Sequence, residues 1–361
     1  MHPIRRHLRL VRAAPLAMLC AACAPKPYPY PQPAPAGPAV PCGNTCEDRV
    51  GVTYLGSGGF LIRHGGDAIL TAPFLSAPRA PELLLPLRTN RPRVDSLMRA
   101  WVGDTDTGAV RAVLVGHSHY DHVLDLPYIF QRWLTNPAVQ AYGPRALAWT
   151  FAADRGFRTR IQVVEDSAGT AEREGGWFRV PGFRFMPLLS DHAPHFAGVY
   201  LLPRRIPRPL PYRPWWMFSY PQGTTLAYLV DVTDASGKVV FRLHYQDSAS
   251  PPPRGFPPEA EIARQPVDLA ILCGASFAQV RGYPDALLAT LHPRNAVVGH
   301  WEDFLVHNRR NPPPGVPFTN YERLERRLAA TPVSGGHPWV PVPGETRWYC
   351  ACTASPPAAA P

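Results

Sequence analysis

Residues 117–122 read His-Ser-His-Tyr-Asp-His, placing His117, His119, Asp121 and His122 in one short segment straight after an apolar run. Imidazole nitrogen and carboxylate oxygen are ligands for borderline divalent ions such as zinc. Crowded together and withdrawn from water, such groups repel or go unsatisfied unless a cation joins them. His117 and His119 are two apart, so at the end of an extended strand they point the same way. Asp121 and His122 follow as the chain turns towards a helix. The segment therefore offers two ligands to one ion and two to a second, and distant residues must complete both sets. "FRFMPLLSDHAPHF" supplies His192 or His195, with His192 preferred; "VVFRLHYQDSASP" supplies Asp247; "NAVVGHWEDF" supplies His300. Each follows an apolar strand-like run, and Asp247 can bridge two ions through its two oxygens. The expectation is a site for two divalent metal ions, zinc by default, with manganese or iron fitting similar ligands.

The elements that must position these residues follow from periodicity. Alternating apolar residues with Gly-Gly turns predict strands over 51–56, 59–64 and 67–71. A buried strand over 111–116 runs into the histidine segment. Helical spacing is read in "HVLDLPYIFQRWL" and "GPRALAWTFAADRG". Further strands are expected over 160–165, 183–189, 197–202, 225–231, 238–244, 267–273 and 295–299, with helices over 283–291 and 319–329. Two sets of strands, each followed by helices, point to a layered α/β architecture. "LPRRIPRPLPYRPWWMFSYPQG" interrupts the second set, and a long loop of this kind is often functional. Its Arg204, Arg205, Arg208 and Arg213 can attract an anionic group, while Trp215, Trp216 and Phe218 offer apolar contact.

Composition bounds the rest. The chain has 361 residues, 45% hydrophobic and 18% charged, enough for a sizeable globular core. Its net charge is +10, yet no basic stretch carries a nucleic-acid-binding signature, and nucleic acid is not expected as a partner. The basic start "MHPIRRHLRLVR" followed by "AAPLAMLCAAC" reads as an export signal over 1–23. Cys23 after Ala21-Ala22 resembles a lipoprotein cleavage site, so periplasmic or membrane-anchored placement through a lipidated Cys23 is expected. A Pro-rich spacer occupies 24–41, the folded domain 42–352 and a disordered tail 353–361. Cys42 and Cys46 open the domain and Cys350 and Cys352 close it; in an oxidising compartment these pairs suit disulfides whose connectivity the sequence leaves open. Cys273 reads as a buried thiol.

The order of "HSHYDH", then His, Asp and His, together with the opening "VTYLGSGGFLIRHGGDAILTAPF", resembles the metallo-β-lactamase-fold hydrolases over residues 50–348. The resemblance implies a four-layer αββα sandwich with a dinuclear site at one edge of the sheets. It assigns His117, His119 and His192 to one ion, Asp121, His122 and His300 to the other, and the bridge to Asp247. It also implies a hydroxide shared by the ions as nucleophile, with Asp121 handling its proton. Tyr120, inside the motif, becomes a candidate substrate contact beside Arg204, Arg205, Trp215 and Trp216. "SHYDH" with "SDH" and "HWEDF" is most similar to the N-acyl-phosphatidylethanolamine phospholipase D-like branch, which implies a phosphodiester or phospholipid-like substrate. The alternatives are a lactonase or other ester or amide hydrolase on the same site, or a non-catalytic metal-binding envelope protein. Two positions depart from the family pattern. Ala72 stands where Asp often precedes Pro, and Gln246 where Gly usually precedes the bridging Asp.

Overall fold

Tight turns at Ser57-Gly58 and Gly65-Gly66 fold the first apolar runs back on themselves, giving the antiparallel strands β1 (Arg49–Gly56), β2 (Gly59–His64) and β3 (Asp67–Thr71). The computed structural model describes residues 48–351 except 196, 307–312, 318 and 332. The expected export signal, spacer and tail, and Cys42, Cys46 and Cys352, lie outside the described residues. Cys350 is disulfide-bonded, and Cys273 is a buried free thiol.

After β3 the chain crosses over through α1 (Arg91–Leu97) and α2 (Asp104–Ala109) to β4 (Val110–Leu114), parallel to β3. Next come α3 (Tyr120–Val123), α4 (Leu126–Arg132), β5 (Gln140–Gly143), α5 (Arg145–Thr150) and β6 (Ile161–Val163). The first sheet has the order β13-β1-β2-β3-β4-β5-β6, closed at one edge by the last strand, β13 (Thr346–Cys350). The second holds β7 (Phe178–Val180), β8 (Phe183–Ser190), β9 (Thr225–Thr233), β10 (Val239–Gln246), β11 (Leu269–Cys273) and β12 (Asn295–Gly299), in the order β12-β11-β10-β9-β8-β7.

The strand period of two sorts the first sheet's residues between two cores. Val52, Tyr54, Ile62, Ile69 and Leu114 face the second sheet. Leu61, Leu70 and Val113 pack with Val94 of α1 and Ile129 of α4 on the opposite face. β9 and β11 are buried along nearly their whole length, as strands covered on both faces must be. Leu287, Leu288 and Leu291 of α7 (Asp285–Leu291) and Leu324 and Leu328 of α8 (Tyr321–Ala330) join the core of this second sheet. The architecture is thus mixed α/β, two sheets face to face with helices outside, as the sequence leads one to expect. Between β10 and β11, α6 (Glu259–Arg264) is tied down by fully buried Arg242, which binds Asp231 through both carboxylate oxygens and donates to the Glu261 carbonyl.

Direction matters most for function. β8 is antiparallel to β9, β9 to β10, and β10 runs parallel to β11 and β12. Hence β8, β10 and β12 all run one way and end on one edge of the sandwich, each leading into a candidate ligand. One expected strand does not form among the described residues: of 197–202 only Val199 makes an isolated bridge. Ala197 and Gly198 adopt left-handed φ values of 46° and 77°, turning the chain so that His195 N–H donates to the Val199 carbonyl at 2.9 Å. The place beside β8 is taken by the short β7.

His244, buried within β10, gives the fold a pH dependence. One ring nitrogen, Nε2, lies 2.7 Å from the Gly255 carbonyl and the other has no hydrogen-bond partner. Burial lowers its pKa from 6.5 to about 4, only partly offset by the carbonyl. Between those values the unfolded chain binds the extra proton, so stability rises with pH across this window and is lost as pH falls through it. At about 1.4 kcal/mol per unit, moving from pH 7 to pH 5 costs about 2 kcal/mol through this residue. Urea unfolding of His244→Gln, which keeps a donor to Gly255 and does not titrate, should show a pH 7-to-5 stability loss smaller than wild type by that amount.

Candidate metal centre

β4 ends at Leu114, and the next turn carries His117 and His119 over the edge of the sheet before α3 begins. The turn fits only because two glycines leave room. A Cβ on Gly116 would overlap the Asp247 side chain, and one on Gly58 would meet both the His122 ring and Asp247. From the other sheet, the ends of β8, β10 and β12 deliver His192, Asp247 and His300.

These residues converge. Ligand atoms of His117, His119 and His192 lie within 4.8 Å of one another, as do those of Asp121, His122 and His300, and those of His117, His122 and Asp247. His117 Nε2 is 3.1 Å from His119 Nδ1. His192 Nδ1 lies 2.5 Å from the Ala193 carbonyl, leaving Nε2 free to face the other two rings. Asp121 Oδ2 is 3.3 Å from His300 Nε2 and 3.6 Å from His122 Nε2. Ligand atoms around a tetrahedral ion with bonds of about 2.0–2.1 Å stand about 3.3 Å apart, so the His117–His119 pair and the Asp121 contacts to His300 and His122 have the spacing of a coordination shell. His119 Nε2, His122 Nε2 and His300 Nδ1 are buried without a hydrogen-bond partner, a state that buried polar groups rarely tolerate. The donor set fits a pair of divalent ions: His117 Nε2, His119 Nδ1, His122 Nε2 and His300 Nε2 are the nitrogens that face neighbouring ligands, and of these His122 Nε2 is buried with no hydrogen-bond partner. His195 falls in none of the three groups: its ring lies 5.4 Å from that of His119, and its Nδ1 accepts from Leu201 N–H.

Asp247 is fully withdrawn from solvent and links the two groups. Its Oδ2 lies 2.5 Å from His117 Nδ1 and its Oδ1 3.1 Å from His122 Nδ1, and the Tyr245 hydroxyl donates to Oδ1. One carboxylate therefore hydrogen-bonds the His117 ring, as carboxylates behind metal-bound imidazoles do, and lies against the His122 ring at ion-pair distance. Bridging two ions, the role the resemblance implies, requires it to turn an oxygen away from a ring.

The protonation states suit cation binding. Burial, reinforced by neighbouring rings, holds His119 and His192 well below the usual imidazole range. Burial also lowers His117, with Asp247 opposing it. At His122 burial is outweighed by Asp247 and Asp121 together, which raise it. Burial favours the protonated acid at Asp121 and Asp247, but His122 with His300, and His122 with His117, overcome it and keep both carboxyls ionised. Neutral rings and anionic carboxylates are the forms that bind metal, so His117, His119, His192 and the two carboxylates are ready to bind, whereas at His122 an ion must displace the proton that Asp247 and Asp121 favour.

The backbone that carries these ligands is held by residues that sequence reading missed. His300 and Ser57 adopt left-handed φ values of 49° and 50°, each costing on the order of 1 kcal/mol or more in a residue with a Cβ. His300 N–H donates to the Ser57 carbonyl at 3.0 Å and the Tyr54 hydroxyl at 2.8 Å. Tyr54 in turn donates to Glu302, which also accepts Ser57 N–H at 2.6 Å. Ser57 Oγ closes the network on the Asp121 carbonyl at 3.0 Å. Glu302 stood in plain view in "HWEDF", but only its complete burial beside Tyr54 reveals its partner. Asp125, also fully buried, accepts from Leu75 N–H at 2.8 Å and Ser76 N–H at 2.7 Å. It fastens the segment after β3 in a place where Ala72 offers no carboxylate. Gln246 Nε2 donates to Ser190 Oγ at 3.0 Å and the Ser248 carbonyl at 2.9 Å, tying the end of β10 to the end of β8.

The candidate substrate residues are placed less uniformly. Tyr120 is buried, its ring edge-on to Phe74 and Phe304. Arg204 and Arg205 line a cavity of about 760 Å³ with Arg145, Trp149 and Gln222. That cavity adjoins the ligand loop, since the Gln222 carbonyl accepts Ser118 N–H at 3.1 Å. Trp215 and Trp216 are exposed, stacked on each other at 6.2 Å and outside this cavity.

No family model and no curated protein matches the chain. Solved structures do. Igni18, a metallo hydrolase from the archaeon Ignicoccus hospitalis, is 15% identical with a TM-score of 0.49, over 83% of this chain and 98% of that one. The metallo-β-lactamase fold protein YhfI from Bacillus subtilis is 14% identical with a TM-score of 0.47, over 84% and 100%. CmlA, a diiron β-hydroxylase from Streptomyces venezuelae, is 14% identical with a TM-score of 0.44, over 84% and 54%.

Two substitutions test the supporting network. Glu302→Gln removes an acceptor that serves both Tyr54 and Ser57, and should weaken zinc retention about 10- to 100-fold, as loss of groups behind metal ligands does, with folding preserved by circular dichroism. Asp247→Asn can satisfy only one of the two ring Nδ1–H groups and should lower affinity at both ion positions together, measured by chelator competition.

Proposed function

We propose that the chain is a metal-dependent hydrolase with two ions, acting on a phosphodiester or phospholipid-like substrate. The observation that carries this reading is the pair of three-residue ligand groups, meeting at one sandwich edge and joined through Asp247. His117, His119 and His192 would hold one ion and Asp121, His122 and His300 the other, zinc being the default for this donor set. Bound there, the ions would supply Lewis acidity, polarising the electrophilic centre and lowering the pKa of water.

The chain's own residues supply the rest. Asp121 keeps its carboxylate ionised through His122 and His300, and its side chain is 11% exposed where that of Asp247 is closed off. It is the group placed to accept a proton from water and return it to a leaving group. The neighbouring cavity favours an anion. Arg145 is paired with Glu165 and Asp166, and Arg204 lies 3.6 Å from Asp191. Arg205 makes no ion pair among the described residues. The basic, apolar and Cys23 pattern at the start of the chain supports placement in a bacterial envelope.

The purified chain should hold about two metal ions by elemental analysis and hydrolyse bis-p-nitrophenyl phosphate. His117→Ala should cut turnover at least a hundredfold, since it removes a ligand outright. Turnover of lactones or thioesters without any of diesters would move the assignment to an ester or amide hydrolase. Metal content without turnover of either would leave a metal-binding envelope protein.

A further inference from the structure

Exposed large apolar side chains are not scattered among the described residues. Apart from Trp348, they fall in 84–85 and 199–218. Leu84 is 78% exposed, Leu85 58% and Trp215 51%. The two stretches lie side by side, because Leu87 N–H donates to the Trp215 carbonyl at 2.6 Å. Trp216 packs edge-on against Phe218 with ring centroids 4.5 Å apart. Leucine, tryptophan and phenylalanine are thus left in solvent on two adjoining stretches, an exposure that soluble chains rarely leave uncovered without a use.

The charge along the second stretch is basic, while beside Leu84 and Leu85 the exposed Glu82 is paired with Arg79. From His192 to Val230 the sequence contains four arginines and no acidic residue. Arg204 and Arg213 reach outlying Asp191 and Asp154 at 3.6 and 3.4 Å, and Arg205 and Arg208 make no ion pair among the described residues. A two-fold pairing of this face with its own copy would set these arginines against each other. A surface of anionic headgroups answers both features at once, because tryptophan settles at the boundary of headgroup and acyl chain while arginine meets phosphate. No helix among the described residues is long and apolar enough to cross a membrane, so the face would lie on the bilayer rather than span it.

We propose that Leu84, Leu85, Trp215, Trp216 and Phe218, ringed by Arg204, Arg205, Arg208 and Arg213, dock the chain peripherally on an anionic bilayer. The same segment folds back on His195 and contributes Leu202 and Tyr220 to the core that also holds Tyr120. Docking would therefore bring the ligand cluster close to the lipid surface. The inference stands on the surface alone and does not need hydrolase activity.

The test uses residues 24–361, so that no N-terminal lipid contributes, in co-sedimentation with vesicles of phosphatidylcholine alone or mixed equally with phosphatidylglycerol. Binding should be about tenfold or more tighter on the anionic vesicles and should weaken as salt rises. The triple variant Trp215→Ser, Trp216→Ser, Phe218→Ser should lose about tenfold in partitioning with circular dichroism and metal content unchanged. Arg205→Gln with Arg208→Gln should flatten the salt dependence while keeping residual binding to neutral vesicles. Absence of wild-type binding to anionic vesicles, or equal binding by the triple variant, would overturn the proposal. So would a dimer in analytical ultracentrifugation that the triple variant dissolves, which would assign the face to a second copy.

Discussion

Crowding imidazoles and carboxylates at one dry edge of a sandwich is the constraint on which the rest of this structure depends. Each group alone would cost several kcal/mol to withdraw from water without a partner. Here their charges are opposed in pairs, and the residual need for a cation is built into nitrogens that face one another, such as His117 Nε2 and His119 Nδ1, and into His122 Nε2, which has no hydrogen bond. Asp247 stands at the centre of this arrangement. It meets one ring of each group, takes a hydrogen bond from Tyr245, and fits only because Gly58 and Gly116 carry no side chains.

Holding those groups in place requires backbone that the chain would not choose freely. Ser57 and His300 occupy left-handed conformations in direct hydrogen-bond contact, and Glu302 with Tyr54 fixes both. Asp125 does the same for the segment after β3, and Gln246 for the ends of β8 and β10. Strain of this kind persists only where surrounding bonds over-determine it. The ligand geometry is thus a property of a buried polar framework extending well behind the ligands themselves.

The long Pro- and Arg-rich segment has the opposite character. It spends few residues on the core and leaves tryptophans and arginines in solvent, while its Gln222 carbonyl touches the loop that carries the buried ligands. A substrate with an anionic head and an apolar body would match the neighbouring arginine-lined cavity and this surface alike, which ties the proposed chemistry to the proposed place of work.

Local spacing alone was enough to reveal the histidine segment, the first three strands, β4, β8 to β12 and the ligand types at their ends, because strand period and residue chemistry are written in consecutive residues. The layered α/β class followed from the order of those runs. β5, β7 and β13 were not legible: they are short, and each pairs only because a neighbour offers an open edge. The strand expected over 197–202 failed for the converse reason, since the left-handed turn at Ala197 and Gly198 leaves its β-prone residues no more than an isolated bridge at Val199. Likewise "HSHYDH" announces a cation on its own, whereas the grouping of His192 rather than His195 with His117 and His119 depends on how β8 ends. Asp247 holding two rings, and Glu302 holding His300, depend on contacts between residues more than a hundred positions apart. The sequence by itself determined which chemistry the chain can do; only the tertiary structure decided which atoms face one another, because side-chain contact is set by strand direction, register and burial rather than by neighbourhood along the chain.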